Sequence, residues 1–186
     1  MTSFVLSKYL VDTRSKIHAI MSRPSNETLT YDILDSENIK HNKLIALQVK
    51  QRQMRIGNIW QIIIGNYDQM FDLGVGHETG LDIMSTERKL VMELKNRTNT
   101  DNASSKLSNL NKLAKYKREH PDYEAIYGCV NDDTHNKTMG GEIVTFMHDG
   151  VELKKYTGMK LLNHIFGANT QMIVECVKES LDGVGA

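Results

Sequence analysis

The chain has 186 residues, 40% of them hydrophobic and 25% charged, and its acidic and basic side chains balance to a formal net charge of zero. That length supports one well-buried core and is short for two, and the composition excludes an intrinsically disordered chain. Neutrality excludes a general nucleic-acid coat that binds by bulk charge, but not an enzyme that meets DNA through a local basic surface.

The chain opens with a segment, residues 3–21, that reads as a helix. Ser3 stands at its cap, and Phe4, Leu6, Leu10, Ile17, Ile20 and Met21 recur at near-helical spacing before Pro24 ends it. Residues 25–35 are short and mixed. A long helical region follows from Ser36 to Phe71, with breaks or kinks expected at Gly57 and Gly65. Its polar face carries Gln48, Lys50, Gln51, Arg52, Gln53, Arg55, Asn58 and Gln61. Gln48 and Gln51 are candidates for contact with DNA or a partner subunit.

A glycine-rich approach, Leu73 to Gly80, leads into the most informative stretch, residues 80–106. Leu81-Asp82-Ile83-Met84 reads as strand, Ser85 to Arg88 as turn, and Leu90 to Lys95 as the return strand. Folding that hairpin brings Asp82 beside Glu93, with Lys95 two residues on and on the same face as Glu93. Both carboxylates are set among apolar neighbours, where a charge is costly unless it is paired or metal-bound. Two carboxylates and an ammonium fit metal-assisted phosphodiester hydrolysis. Hard cations such as Mg2+ take oxygen ligands, and a nearby lysine stabilises charge building on phosphorus. Glu78, close by in sequence, is a possible accessory ligand.

Beyond Lys95 the residue types suit phosphates and base edges: Asn96, Arg97, Thr98, Asn99, Asn102, Ser104 and Ser105. Ser104 is placed to cap a helix that ends before Pro121 and whose outer face bears Lys106, Lys112, Lys115 and Lys117; its place directly after the Glu93 strand favours contact of these lysines, Lys106 and Lys112 among them, with DNA phosphates. From Arg88 to His120 nine Lys and Arg face three acidic residues. Next come a buried strand from Tyr123 to Val130, a loop, and a hairpin. Its strands are Ile143–Met147 and Val151–Tyr156, turning at His148-Asp149-Gly150. A short helix ended by Gly167 and a last helix from Thr170 to Leu181 complete the chain.

Asp82, ten residues, then Glu93-Leu94-Lys95 resembles the PD-(D/E)xK nuclease motif, with Leu81-Asp82 where Pro-Asp would stand. The continuation from Lys95 to Thr100 and the late Tyr-x-Gly-x-x-Leu…Ile-x-Gly pattern, from Tyr156 to Gly167, are similar to type II restriction endonucleases. The resemblance implies an α/β fold with a restriction-endonuclease-like core: a central mixed β-sheet of about five strands flanked by helices. It implies a Mg2+-dependent enzyme that cuts double-stranded DNA at a short, palindromic sequence. Asp82 and Glu93 would hold metal, the Leu94 carbonyl would complete the shell, and Lys95 would position the attacking water. A homodimer and a cognate DNA methyltransferase acting on the same site are the implied partners. In many such enzymes the helix before the Asp strand supplies a further carboxylate, but here no acidic residue lies between Lys43 and Tyr67. The alternatives are a structure-specific or repair nuclease of the same superfamily, of Holliday-junction type, and a non-catalytic DNA-binding protein.

A single nuclease domain, 1–186, is expected. It divides into a helical part at 1–72, a catalytic sheet at 73–156 containing the 104–120 helix, and C-terminal helices at 157–186. Cys129 and Cys176 lie in apolar runs without CxxC spacing and read as free thiols of a reducing compartment. Phe4-Val5-Leu6 is too short for a signal peptide, and the run Ile62–Ile64 stops at Gly65. No membrane segment and a cytoplasmic location are therefore expected. The seven histidines show no HxxxH or HExxH spacing, and neither a Walker loop nor a Gly-x-Ser-x-Gly elbow is present.

Overall fold

The computed structural model describes residues 4–24, 28–97, 102–131 and 140–184. The chain begins with two helices, α1 (Leu6–Met21) and α2 (Glu37–Gly65), followed by strands β1 (Phe71–Asp72), β2 (Ile83–Ser85) and β3 (Leu90–Arg97). Helix α3 (Ala103–Glu119) crosses over to β4 (Glu124–Asn131). Then β5 (Ile143–His148), β6 (Val151–Thr157), α4 (Gly158–Phe166) and α5 (Thr170–Val184) close the fold.

The six strands form one mixed sheet in the order β1-β2-β3-β4-β6-β5. β3, β4 and β6 run parallel, while the β2–β3 and β5–β6 hairpins and the β1–β2 pair are antiparallel. Helices cover both faces, as a sheet with parallel central strands requires. On one face Ile59, Trp60, Ile63 and Ile64 of α2 pack with Ile83, Met92 and Leu94 of the sheet and with residues of α1, α4 and α5. On the other, Leu113, Ala114 and Tyr116 of α3 pack with Val91, Ala125 and Tyr127. This is the mixed α/β arrangement that the resemblance implies, with one strand more than expected.

That extra strand is β1, whose residues Phe71 and Asp72 pair with Met84 and Ile83. The apolar spacing in the sequence continues the long helix through Phe71. α2 instead ends at Gly65, where an added Cβ would lie 2.6 Å from the Cβ of Asp72. The second expected break does not occur, because α2 runs unbroken through Gly57. A Cβ at Gly57 would sit 3.5 Å from that of Asn96, so this glycine serves the close passage of α2 over β3. Ser36 caps α2 through its side chain, as expected. α1 starts at Leu6 with Val5 in the cap position, and Ser3 lies outside the described residues.

Two further boundaries differ. Asn102, not Ser104, caps α3: its side-chain oxygen accepts from the Ser105 amide at 2.8 Å. α5 continues through Asp182 and Gly183 to Val184. The β5–β6 turn is as read: Asp149 and Gly150 both take positive φ, 48° and 76°, the twist that a two-residue hairpin needs. An aromatic cluster locks the helical face, with Phe4, Tyr9 and Phe166 around Tyr67. Tyr9 and Tyr67 donate their hydroxyls to the Ile63 and Phe166 carbonyls. Among the described residues no helix is long and apolar enough to cross a membrane.

Candidate active site

β2 and β3 are joined by a turn at residues 86–89, in which the Arg88 amide donates to Ser85 Oγ at 3.1 Å. The Arg88 guanidinium reaches the Ile165 and His164 carbonyls at 2.9 and 2.8 Å, tying the hairpin to the end of α4. The ladder pairs Ile83 with Met92, and one step beyond it Asp82 stands across from Glu93. Alternation along β3 then decides which layer each side chain meets. Met92 and Leu94 enter the core under α2, while Val91 belongs to the α3 core. Glu93, next to Met92 and Leu94, therefore projects on the α3 side.

Asp82 leaves the regular ladder. Its amide donates to the Met92 carbonyl at 3.1 Å, and its carboxylate accepts the Leu94 amide at 2.7 Å. Glu93 is 4% exposed, and Lys95 Nζ donates to its Oε1 at 2.8 Å. The second oxygen, Oε2, is buried without a hydrogen-bond partner among the described residues. A buried carboxylate oxygen left in this way is costly, and such groups in native folds call for an explanation. Burial is also the main force raising the pKa of both acids. Glu93 is pushed further by the charge of Asp82 and pulled back by Lys95, while Asp82 is pulled back by the Leu94 amide. Two desolvated carboxylates face each other, and among the described residues Glu93 Oε2 is buried without a donor. A hard dication relieves all of these penalties together, so the residues present fit one.

The other sequence candidates separate clearly. Glu78 is exposed on the approach loop. Among the described residues no group of three or more His, Cys, Asp or Glu is placed to hold a metal, so no third acid joins Asp82 and Glu93. α2 packs under the opposite face of the sheet, and Gln48 and Gln51 belong to its protruding first half. The later part of its polar face has structural duties: Arg55 donates to the Met21 carbonyl, and Gln61 to Asp72. Asn96 alternates away from Lys95 and donates to the Gln53 carbonyl while accepting from Asn131. Arg97 borders a groove of about 300 Å3 with Gln53, Trp60 and Lys178. Asn102 is the α3 cap, Ser104, Ser105 and Lys106 are exposed on the first turns of α3, and Thr98 and Asn99 lie outside the described residues.

Lys112 is placed differently from the outward face assigned to it. It is half-buried, and its ammonium donates to the Gly80 carbonyl at 3.2 Å and to Asn109 Oδ1 at 3.4 Å. Lys117 is likewise drawn in, to the Pro121 and Tyr123 carbonyls. Of these four lysines only Lys106 and Lys115 are exposed, as the expected contact with DNA phosphates requires. Helical spacing in the sequence marks which residues share a face of α3, but not which loop that face meets.

No curated protein matches the chain. The family model for the Eco47II restriction endonuclease matches residues 7–139, which take in α1, α2, the hairpin with Asp82, Glu93 and Lys95, α3 and β4. With that match over most of its length, and with the paired carboxylates and lysine set on a six-stranded mixed sheet, the chain belongs to the Eco47II restriction endonuclease family, a family of type II site-specific deoxyribonucleases.

Proposed function

We propose that this enzyme hydrolyses double-stranded DNA at a short palindromic sequence, with Mg2+ held between Asp82 and Glu93. The observation that carries the reading is the buried Oε2 of Glu93, without a partner among the described residues, across from Asp82 and beside Lys95. The Leu94 amide already points at Asp82. In an antiparallel pair a residue's N–H and C=O face the same neighbour, which supports the Leu94 carbonyl as a further oxygen ligand. A bound Mg2+ supplies Lewis acidity and a water of lowered pKa. Lys95, anchored on Glu93, would orient the attacking water and stabilise the charge that builds on the phosphoryl oxygens.

One site per chain cuts one strand, so a double-strand break calls for a two-fold dimer on a palindrome. The first half of α2 exposes Ile39, Leu44, Ile45 and Val49, an apolar surface that supports its interface. Sedimentation equilibrium that found only monomer, with and without DNA, would remove the dimer. A methyltransferase marking the same sequence completes the system by protecting host DNA.

The test is incubation of the protein with plasmid or phage DNA. Discrete fragments are expected with Mg2+, none with EDTA, and little product with Ca2+, a larger ion of looser coordination. The ends should map to one short sequence. A smear without preferred ends rules out the sequence-specific reading, and selective cutting of four-way junctions replaces it with a junction nuclease.

A further inference from the structure

The lysines of α3 differ in what holds them. Lys106 and Lys115 are exposed, and Lys117 is spent on two carbonyls at the end of its own helix. Lys112 is carried one turn after Asn109, on the face of α3 that meets the loop entering β2. Gly80, whose carbonyl it holds, lies two residues before Asp82. Gly80 has φ +62°, and an added Cβ would stand 3.3 Å from Lys112 Cε. A glycine therefore suits this position twice, for its backbone conformation and for the lysine passing beside it. An ammonium has three donors, and the described residues take two of them. The positive charge of Lys112 acts on both Asp82 and Glu93.

From this placement we propose that Lys112 is a second cation of the reaction centre, its remaining N–H reserved for a non-bridging oxygen of the DNA phosphate under attack. The proposal rests on the nuclease reading above and assigns Lys112 to catalysis rather than to general phosphate anchoring. A fixed ammonium in a partly desolvated site stabilises charge that grows in the transition state. An exposed lysine such as Lys106 contributes to ground-state affinity instead.

The two roles separate in Lys112→Met, compared with Lys106→Ala. Single-turnover plasmid cleavage in Mg2+ should fall roughly a hundredfold in Lys112→Met, the scale of a lost oxyanion donor. Plasmid affinity in Ca2+ should stay within about threefold, whereas Lys106→Ala should weaken affinity severalfold for every duplex, with any loss of cleavage recovered at saturating DNA. Titrated with Mn2+ alone, Lys112→Met should bind the ion several-fold more tightly, because a positive charge has left the carboxylates. Lys112→Gln retains a donor for the Gly80 carbonyl and repeats the measurements if Lys112→Met melts early. Cleavage close to wild type, a loss explained wholly by weaker DNA binding, or unchanged Mn2+ affinity overturns the proposal. If the wild-type protein cuts no DNA, the nuclease reading fails by itself, and the Mn2+ titration alone decides the place of Lys112.

Discussion

Glu93 and Glu124 sit on neighbouring parallel strands, both withdrawn from solvent, and their surroundings are opposite in kind. Glu124, at the start of β4, has both oxygens engaged. Oε1 accepts from Lys154 at 2.8 Å and from the Tyr156 hydroxyl at 3.0 Å, and Oε2 lies 3.0 Å from His164 Nε2. The His164 bond first, and then Lys154, outweigh burial and hold its pKa down to about 2. Glu93 has one lysine on one oxygen and, among the described residues, no hydrogen-bond partner on the other, and its pKa is raised. The fold completes the shell of the first acid from β6 and α4, joining those elements to β4. It leaves the second acid short of partners next to another acid. A buried carboxylate with a full shell is structural, whereas one left short is prepared for something that arrives.

The largest test of this contrast is Glu93→Gln. Plasmid cleavage should drop by orders of magnitude while the melting temperature holds or rises, since a neutral isostere removes a buried charge that lacks full compensation. A Glu93→Gln protein that cleaves normally, or that no longer folds, would place Glu93 with Glu124 and sink the distinction.

Next in size is Glu124→Gln. It should leave cleavage per folded molecule unchanged and cost about 2 kcal/mol in denaturant titrations, because Lys154 and His164 lose their anion. The pH dependence carries the same contrast with opposite signs. The ordinary value for Glu124 is 4.5 and its folded value is about 2, so the unfolded chain binds more protons between them. Its contribution is present above pH 4.5 and is lost as pH falls toward 2. Glu93 and Asp82 are shifted upward, so their effect on stability is unfavourable and grows as pH rises above the ordinary values of 4.5 and 3.8. Melts of wild type, Glu93→Gln and Glu124→Gln across that range should show Glu124→Gln losing acid sensitivity and Glu93→Gln gaining stability toward neutrality. Three parallel curves would refute both assignments.

The smallest effect concerns Asn102, a polar side chain with a satisfied role at the edge of the site. Asn102→Ala should cost about 1 kcal/mol of stability through the lost cap. It should weaken DNA binding equally for all duplexes, if at all. A change confined to one DNA sequence, measured by competition binding, would return Asn102 to base reading.

Much of the site was legible in the sequence because its signal is local. A period of two across Leu90 to Lys95, a turn composition before it and an apolar run around Asp82 suffice to draw the hairpin and set Asp82 against Glu93. The α3 crossover, the β5–β6 turn and the glycine after α4 follow from equally local chemistry. What tertiary structure alone decided are relations between elements distant in sequence. Glu93 faces α3 rather than α2 because Met92 and Leu94 are claimed by the larger core. β1 exists because the chain after α2 finds an open edge on β2, which neither Phe71 nor Asp72 announces. Asn96 and Asn102 have the residue types of DNA readers, yet Gln53 and the start of α3 engage them first. Lys112 and Glu124 gain their surroundings from partners 30 to 40 residues away. Spacing along a chain determines which side chains share a face, and only packing determines what that face meets.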